Sequence, residues 1–298
     1  MGTQASLLKK GSISRPKSLW FWTLGLGGLS KFDRRLTLQS CLICALPYRK
    51  FCLIRGVNTL PYNEQKMKIL GLIGGTSWHS TVEYYKFINQ HVNDYFGDNT
   101  NPPLMVYTMN QSVVHKLQTE SKWDQIAEMI IDAAIRLEKA GAQQLMFCAN
   151  TPHKVYDVVA KHINTPILHI GDATASAMKS EKLNTVCFLG TKYSMTEDFV
   201  TKRISQHNID VLTPQNNDTL NELHRIIQEE LSYGKIIEHS KRYVLNVIQD
   251  LVHSGAQGVV LGCTEFPLMI HDGELDIPVF NTTQIHARAG ADFILEKP

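Results

Sequence analysis

The sequence has no apolar run as long as the roughly 18 to 20 residues of a membrane-spanning helix, so no helical span and no membrane partner are expected. It is equally short of metal-binding patterns. Its six cysteines stand at 41, 44, 52, 148, 187 and 263, and beyond the lone Cys41/Cys44 pair none has the spacing of a metal site. Free thiols in a reducing, cytoplasmic compartment are the expectation. His153, His169 and His286 also lack metal spacing and read as hydrogen-bonded structural histidines, and His79 as a solvated or capping one. The segment "LGLIGG" follows an apolar run but lacks the Gly-x-Gly-x-x-Gly spacing of a dinucleotide loop, and "GLGGL" near Gly25 has no strand-helix unit around it.

Acidic residues are scarce in the first part of the chain. Up to Lys66 there are eleven Lys or Arg against Asp33 and Glu64, a local charge of +9; the remaining 19 basic and 26 acidic residues leave −7. Residues 1–66 therefore form a basic leader that reads either as an organelle transit sequence or as an upstream extension that does not fold. Its tryptophans and leucines do not interleave with the basic residues as a base-stacking platform would, so no nucleic-acid partner is expected.

The chain beyond the leader has length and apolar content for one large or two modest domains, at 43% hydrophobic residues over the 298-residue whole. From Met67, "KILGLIGG", "LMVYTM", "QLMFCA", "TPILHI", "TVCFLGT" and "GVVLGC" are continuous apolar runs of strand length, as in strands covered on both faces. Amphipathic segments alternate with them. Ile126, Ile130, Ala133 and Leu137 recur at helical spacing over Trp123 to Ala140, and Val244, Val247, Ile248, Leu251 and Val252 over Lys241 to Ser254; a glycine ends each. This alternation predicts a parallel α/β fold.

An internal repeat makes the prediction more specific. "GAQQLMFCANTPH" (141–153) returns as "GAQGVVLGCTEFP" (255–267), and "GLIGGTS" has a counterpart in "CFLGTKYS". The repeat predicts two similar α/β lobes, 67–180 and 181–298, related by a pseudo-twofold axis, with the final helix of either half able to exchange lobes. Ligands bind beyond the carboxyl ends of parallel strands, so the turns of both lobes are expected to converge on one cleft. Aligned on Gly-Ala-Gln, Cys263 falls opposite Ala149, and Cys148 opposite Gly262.

These turns are candidates for acid/base chemistry. Thr151-Pro152 reads as a helix start, and Thr264 stands beside Cys263; a helix N-terminus favours a thiolate or a substrate carboxylate. A thiol so placed is expected to titrate below its usual value of about 8.5, supplying a base without a metal. Glu265 could orient that thiol or the substrate ammonium, or could serve as a first-turn helix acid.

With these residues in view, "GLIGGTSWHSTVEYYKFIN", "CANTPHKV", "LHIGDAT", "LGTKYSM" and "GVVLGCTEFPLMI" together resemble the aspartate/glutamate racemase family, particularly its broad-specificity amino acid racemase branch, over about Met67 to Leu295. The resemblance implies an isomerase without cofactor or metal, often a homodimer, that interconverts the L and D forms of aspartate, glutamate or a related amino acid such as homoserine. In the family's usual form a cysteine from each lobe flanks the α-carbon, one taking the α-proton and the other delivering a proton to the opposite face, the least equipment that inversion needs. Cys263 matches one of these positions. Ala149 stands in the other, immediately before Asn150-Thr151, so Cys148 is either a displaced second base or, as the register favours, a packing residue. Asn150, Thr151 and Thr264 match substrate-binding positions, the backbone of Gly75, Thr76 and Ser77 matches the first-lobe loop, and Lys192 is a further candidate for a side-chain carboxylate. Ala149 keeps two alternatives open: a one-cysteine decarboxylase or isomerase of a small dicarboxylate on the same fold, and a non-catalytic amino acid binder.

Overall fold

In the computed structural model, which describes residues 67–271 and 273–297, the apolar runs form two four-stranded parallel sheets. The expectations for residues 1–66 fall outside the described residues. The first sheet contains β1 (Leu70–Gly74), β2 (Leu104–Thr108), β3 (Gln144–Phe147) and β4 (Ile167–Leu168), in the order β2-β1-β3-β4. The second contains β5 (Thr185–Gly190), β6 (Asp210–Leu212), β7 (Val259–Gly262) and β8 (Val279–Asn281), in the order β6-β5-β7-β8. Both β1 and β7 are buried along their whole length, which is why they read as unbroken apolar runs rather than alternating ones.

The helices of the first half are α1 (Trp78–Phe96), α2 (Gln111–Thr119), α3 (Trp123–Ala140), α4 (Tyr156–Ala160) and α5 (Ile170–Ser180). Those of the second are α6 (Lys192–Thr196), α7 (Thr201–Ser205), α8 (Asn217–Arg225), α9 (Glu238–His253) and α10 (Thr282–Ile294). Helix α3 has the predicted bounds and stops because Gly141 adopts φ 105°, left-handed backbone that a Cβ disfavours, with its N–H closing on the carbonyls of Leu137 and Glu138.

The two sheets keep the same register. In the first, Ile73 pairs with Phe147; in the second, Leu189 pairs with Leu261, and each of Ile73 and Leu189 precedes the terminal glycine of its strand. Phe147 therefore corresponds to Leu261, Cys148 to Gly262 and Ala149 to Cys263. Strand pairing thus reproduces the offset of the Gly-Ala-Gln alignment.

The final helix of each half packs on the other half. Ile170, Ala175 and Met178 of α5 belong to the core built on β5 and β7, together with Val186, Phe188 and Val260. Ala287, Ala291 and Ile294 of α10 pack with Leu70, Leu72, Tyr84 and Met146 of the first half. Gly290 of α10 lies so close to the first sheet that a Cβ there would stand 2.9 Å from Leu70 and 3.0 Å from the sulfur of Met146. A cut between residues 180 and 181 consequently does not separate two cores. In each sheet the strand order reverses between its first and third strands, which places the ligand crevice at the ends of β1, β3, β5 and β7.

Candidate active site

The turns after β1, β3, β5 and β7 line one cleft between the lobes. After β1, Gly75 takes φ 90°, and a Cβ there would lie 2.1 Å from the carbonyl oxygen of Met109, so only glycine fits this turn. Its N–H donates to Thr81 Oγ1 at 3.1 Å, so Gly75 shapes the turn and Thr76 and Ser77 line the cleft. Ser77 caps α1 through the N–H of Ser80. The carbonyl of Thr76 accepts from His115 Nε2 at 2.9 Å.

After β3 the chain continues the sheet for one residue, with the Cys148 N–H donating to the Ile73 carbonyl at 2.9 Å. The Cys148 side chain is only 2% exposed and packs with Leu72, Tyr84 and Ala287, away from the cleft, where burial pushes its thiol well above the usual range. Ala149 turns to the cleft instead. Asn150, 4% exposed, donates through Nδ2 to Thr282 Oγ1 at 3.0 Å, and that hydroxyl donates to the Leu261 carbonyl at 2.8 Å, which ties the first-lobe turn to β7. The Asn150 Oδ1 is buried with no protein partner. Thr151 Oγ1 stands 3.5 Å from Thr191 Oγ1 across the cleft.

His153 fixes this turn. Its Nδ1 lies 3.1 Å from the carbonyl oxygens of both Ala149 and Asn150, which makes it a donor, while Nε2 accepts from the Ile170 N–H at 3.2 Å. His169 caps α5 by accepting from the Gly171 N–H, and His286 donates from Nε2 to the Leu168 carbonyl, leaving Nδ1 to accept from Tyr84. Burial lowers the pKa of all three rings, that of His169 to about 4. Among the described residues no group of three or more His, Cys, Asp or Glu side chains is placed to hold a metal.

After β7, Cys263 is 6% exposed and lines the cleft opposite the Ala149 turn. Its thiol donates to Glu265 Oε2 at 2.9 Å, and Thr264 Oγ1 donates to the same oxygen at 2.8 Å. Burial first, then the Glu265 carboxylate, push the thiol well above its usual value, against the weaker pull of the Thr264 and Glu265 backbone N–H groups. This reverses the expected lowering. Burial and the Glu265 carboxylate are the reason, and no helix dipole offsets them, because the turn leads into a three-residue 3₁₀ segment, Phe266–Leu268, rather than an α-helix. Thr151 likewise opens a short 3₁₀ turn, Thr151–Val155, without capping it. Neither turn has the aligned peptides of a long helix dipole.

Lys192 is not brought into the cleft. Its Nζ donates to Asn221 Oδ1 at 2.8 Å, while its neighbours Thr191 and Tyr193 form part of the wall. Sequence reasoning also missed two polar stripes. Gln111, His115 and Gln118 of α2 line the first-lobe wall, and His224, Gln228 and Ser232 the second. Their spacing, i, i+4 and i+7 or i+8, is the signal that could have found them: each puts polar residues on one helical face while Val114 and Leu117, or Leu220 and Leu223, are buried on another. The second stripe follows α8 into a π-helical turn, Ile226–Glu230, a feature frequent at functional sites.

The model of the Asp/Glu/Hydantoin racemase family matches residues 73–290. The chain belongs to this family. A solved structure of a candidate Asp/Glu racemase from Yersinia pestis is 41% identical, covers 77% of this chain and 100% of its own, and superposes with a TM-score of 0.73. An aspartate racemase homologue from Pyrococcus horikoshii OT3 is 37% identical over 76% of this chain and 99% of its own, with a TM-score of 0.68. The broad specificity amino-acid racemase RacX of Bacillus subtilis (strain 168) is 19% identical over 225 residues, 74% of this chain and 96% of the relative. Membership in the Asp/Glu/Hydantoin racemase family, with a match that spans both sheets, supports a racemase activity and so an isomerase. No described helix is long and apolar enough to cross a membrane.

Proposed function

We propose that this protein is a cofactor-independent amino acid racemase, neither pyridoxal phosphate nor a metal taking part, in which the Cys263 thiol is the acid/base group on one face of the α-carbon. The observation that carries the reading is the hydrogen bond from Cys263 to Glu265 at the end of β7, inside the cleft and opposite the Ala149-Asn150-Thr151 turn. With its pKa raised, the thiol holds its proton at rest. For Cys263 to act as a base, that proton passes along the existing hydrogen bond to the Glu265 carboxylate, and the thiolate takes the α-proton. In the reverse sense, the thiol protonates the planar intermediate and recovers a proton from Glu265.

The remaining cleft groups suit the charges of an amino acid. The orphaned Asn150 Oδ1 accepts from the substrate ammonium, and the hydroxyl and backbone donors of Thr76, Ser77 and Thr151, with the backbone N–H of Thr264, receive the α-carboxylate, whose negative charge grows as the enediolate forms. Ala149 leaves the second face without a thiol, so a water molecule supplies the proton there. The catalytic unit is residues 67–298, as a homodimer. The exposed stripe of Trp78, Val82 and Tyr85 on α1 is the surface a second copy would cover, and molar mass in solution checks it.

Ala149 also favours a second reading, an enzyme of the same fold that protonates one face only, as a decarboxylase does. The test is chiral analysis of single enantiomers incubated with the full chain and no added cofactor. Formation of the opposite enantiomer is expected. Product formation with loss of carbon dioxide and no inversion would select the second reading.

A further inference from the structure

Among the described residues, no Lys, Arg or Asp lines the cleft, and Glu265 is the one carboxylate there. The nearest lysine in sequence to the cleft wall, Lys192, is held outside by Asn221. The walls carry two polar stripes facing each other, Gln111, His115 and Gln118 on one lobe and His224, Gln228 and Ser232 on the other. We infer that the substrate's side chain is an uncharged polar one, an amide or a hydroxyl, rather than the second carboxylate of aspartate or glutamate.

The inference rests on the racemase reading and sharpens it. A dicarboxylic amino acid would bring a second anionic group into a crevice that already holds Glu265 and whose wall, among the described residues, offers no Lys or Arg to meet it. Withdrawing a charge from water without an opposite charge is strongly unfavourable, whereas an amide or hydroxyl needs only hydrogen-bond partners. Those partners are present in both senses. Gln111 accepts the Trp78 N–H on its Oε1 at 3.0 Å, which leaves its amide N–H groups to donate. His115 donates from Nε2 to the Thr76 carbonyl, so in the neutral ring Nδ1 is an acceptor. His224 accepts the Lys192 N–H on Nδ1 at 3.5 Å, which leaves Nε2 a donor. Burial, and then the Lys192 ammonium, lower the pKa of His224, so this ring adds no positive charge at neutral pH. A carboxylate only accepts hydrogen bonds, while an amide or hydroxyl uses both kinds.

The experiment follows α-hydrogen loss by proton NMR in heavy water, with the full chain and both enantiomers of asparagine, glutamine, serine, homoserine, aspartate, glutamate and leucine. The amide and hydroxyl amino acids are expected to exceed the acidic ones and leucine in kcat/KM by about tenfold or more, and Lys192→Met to leave that preference unchanged. Gln118→Lys, which adds the missing cation, is expected to raise kcat/KM for glutamate or aspartate by about tenfold relative to the amides. Equal or better turnover of aspartate or glutamate, collapsing in Lys192→Met, would overturn the inference while leaving the racemase reading standing, because Lys192 would then reach the substrate. Fastest exchange with leucine would overturn it in the same way. No exchange with any of the seven amino acids would refute the racemase reading itself and this inference with it.

Discussion

Ala149 and Cys263 occupy the same position in the two sheets, facing one cleft from opposite lobes, so that a methyl group stands where the other lobe has a thiol. The neighbouring cysteine does not make up the difference. Cys148 corresponds to Gly262, and its side chain lies in the core. At Gly262 the space belongs to Phe188, whose ring would stand 2.0 Å from a Cβ. Cys148→Ala is therefore expected to change turnover only a few-fold and to cost about 1 kcal/mol of stability as a small packing defect. Ala149→Cys is expected to raise racemisation by putting a thiol on the second face. A loss of about 10² in both directions for Cys148→Ala, with its fold intact, would instead make Cys148 a base.

The Cys263 and Glu265 pair gives two variants with different signatures. Cys263→Ser keeps the shape but not an accessible thiolate, and about 10² to 10⁴ in rate should be lost. Glu265→Gln removes the negative charge that raises the Cys263 pKa, so the pH at which iodoacetamide begins to alkylate Cys263 should fall. Turnover should fall too, since the thiol proton loses its acceptor. An unchanged alkylation profile in Glu265→Gln would detach the glutamate from the thiol.

Three buried imidazoles make stability depend on pH in a defined direction. His153, His169 and His286 have folded-state pKa values below the ordinary 6.5, mainly through burial, with His169 at about 4. Below about pH 6.5 the unfolded chain takes up protons that the folded chain refuses, so their contribution is present above that pH and is lost as pH falls towards 4, by up to about 1.4 kcal/mol per pH unit for each ring. The urea midpoint should drop between pH 7 and 5. His169→Asn, which retains a capping acceptor for α5, should flatten the slope by about one proton. A midpoint that stays level between pH 7 and 5 would contradict this.

Met67–Pro298 should fold and turn over substrate like the full chain. The first sheet begins with β1 at Leu70, the Lys68 N–H already bonds the Ile294 carbonyl at 3.0 Å, and the family match starts at residue 73. Expression of this fragment, with its melting temperature and turnover, checks the proposal; an insoluble or inactive fragment would contradict it.

The central strands and the long helices are readable in the sequence because burial on both faces leaves unbroken apolar runs, and because Gly141 and Gly255 mark helix ends. Strands β6 and β8 are not: they have three residues each, lie at sheet edges and are only partly buried, so neither length nor pattern separates them from loops. The sequence does not decide the exchange of α5 and α10, because an amphipathic helix shows that it has an apolar face and not which sheet covers it. At the site, the Cys148 register follows from the repeat. The upward shift of the Cys263 pKa does not, since it depends on burial and on the Glu265 rotamer, which local sequence does not specify. Lys192 is placed by a neighbour 29 residues away, Asn221, a tertiary contact with no sequence signature.

The most direct test of one-thiol catalysis compares, for a single enantiomer in heavy water, the rate of α-hydrogen exchange with the rate of inversion. With Cys263 on one face and water on the other, the wild-type chain should exchange the α-hydrogen of one enantiomer several-fold faster than it inverts it, and Ala149→Cys should bring the two rates together. Equal exchange and inversion rates for both enantiomers in the wild type, abolished by Cys148→Ala, would contradict it.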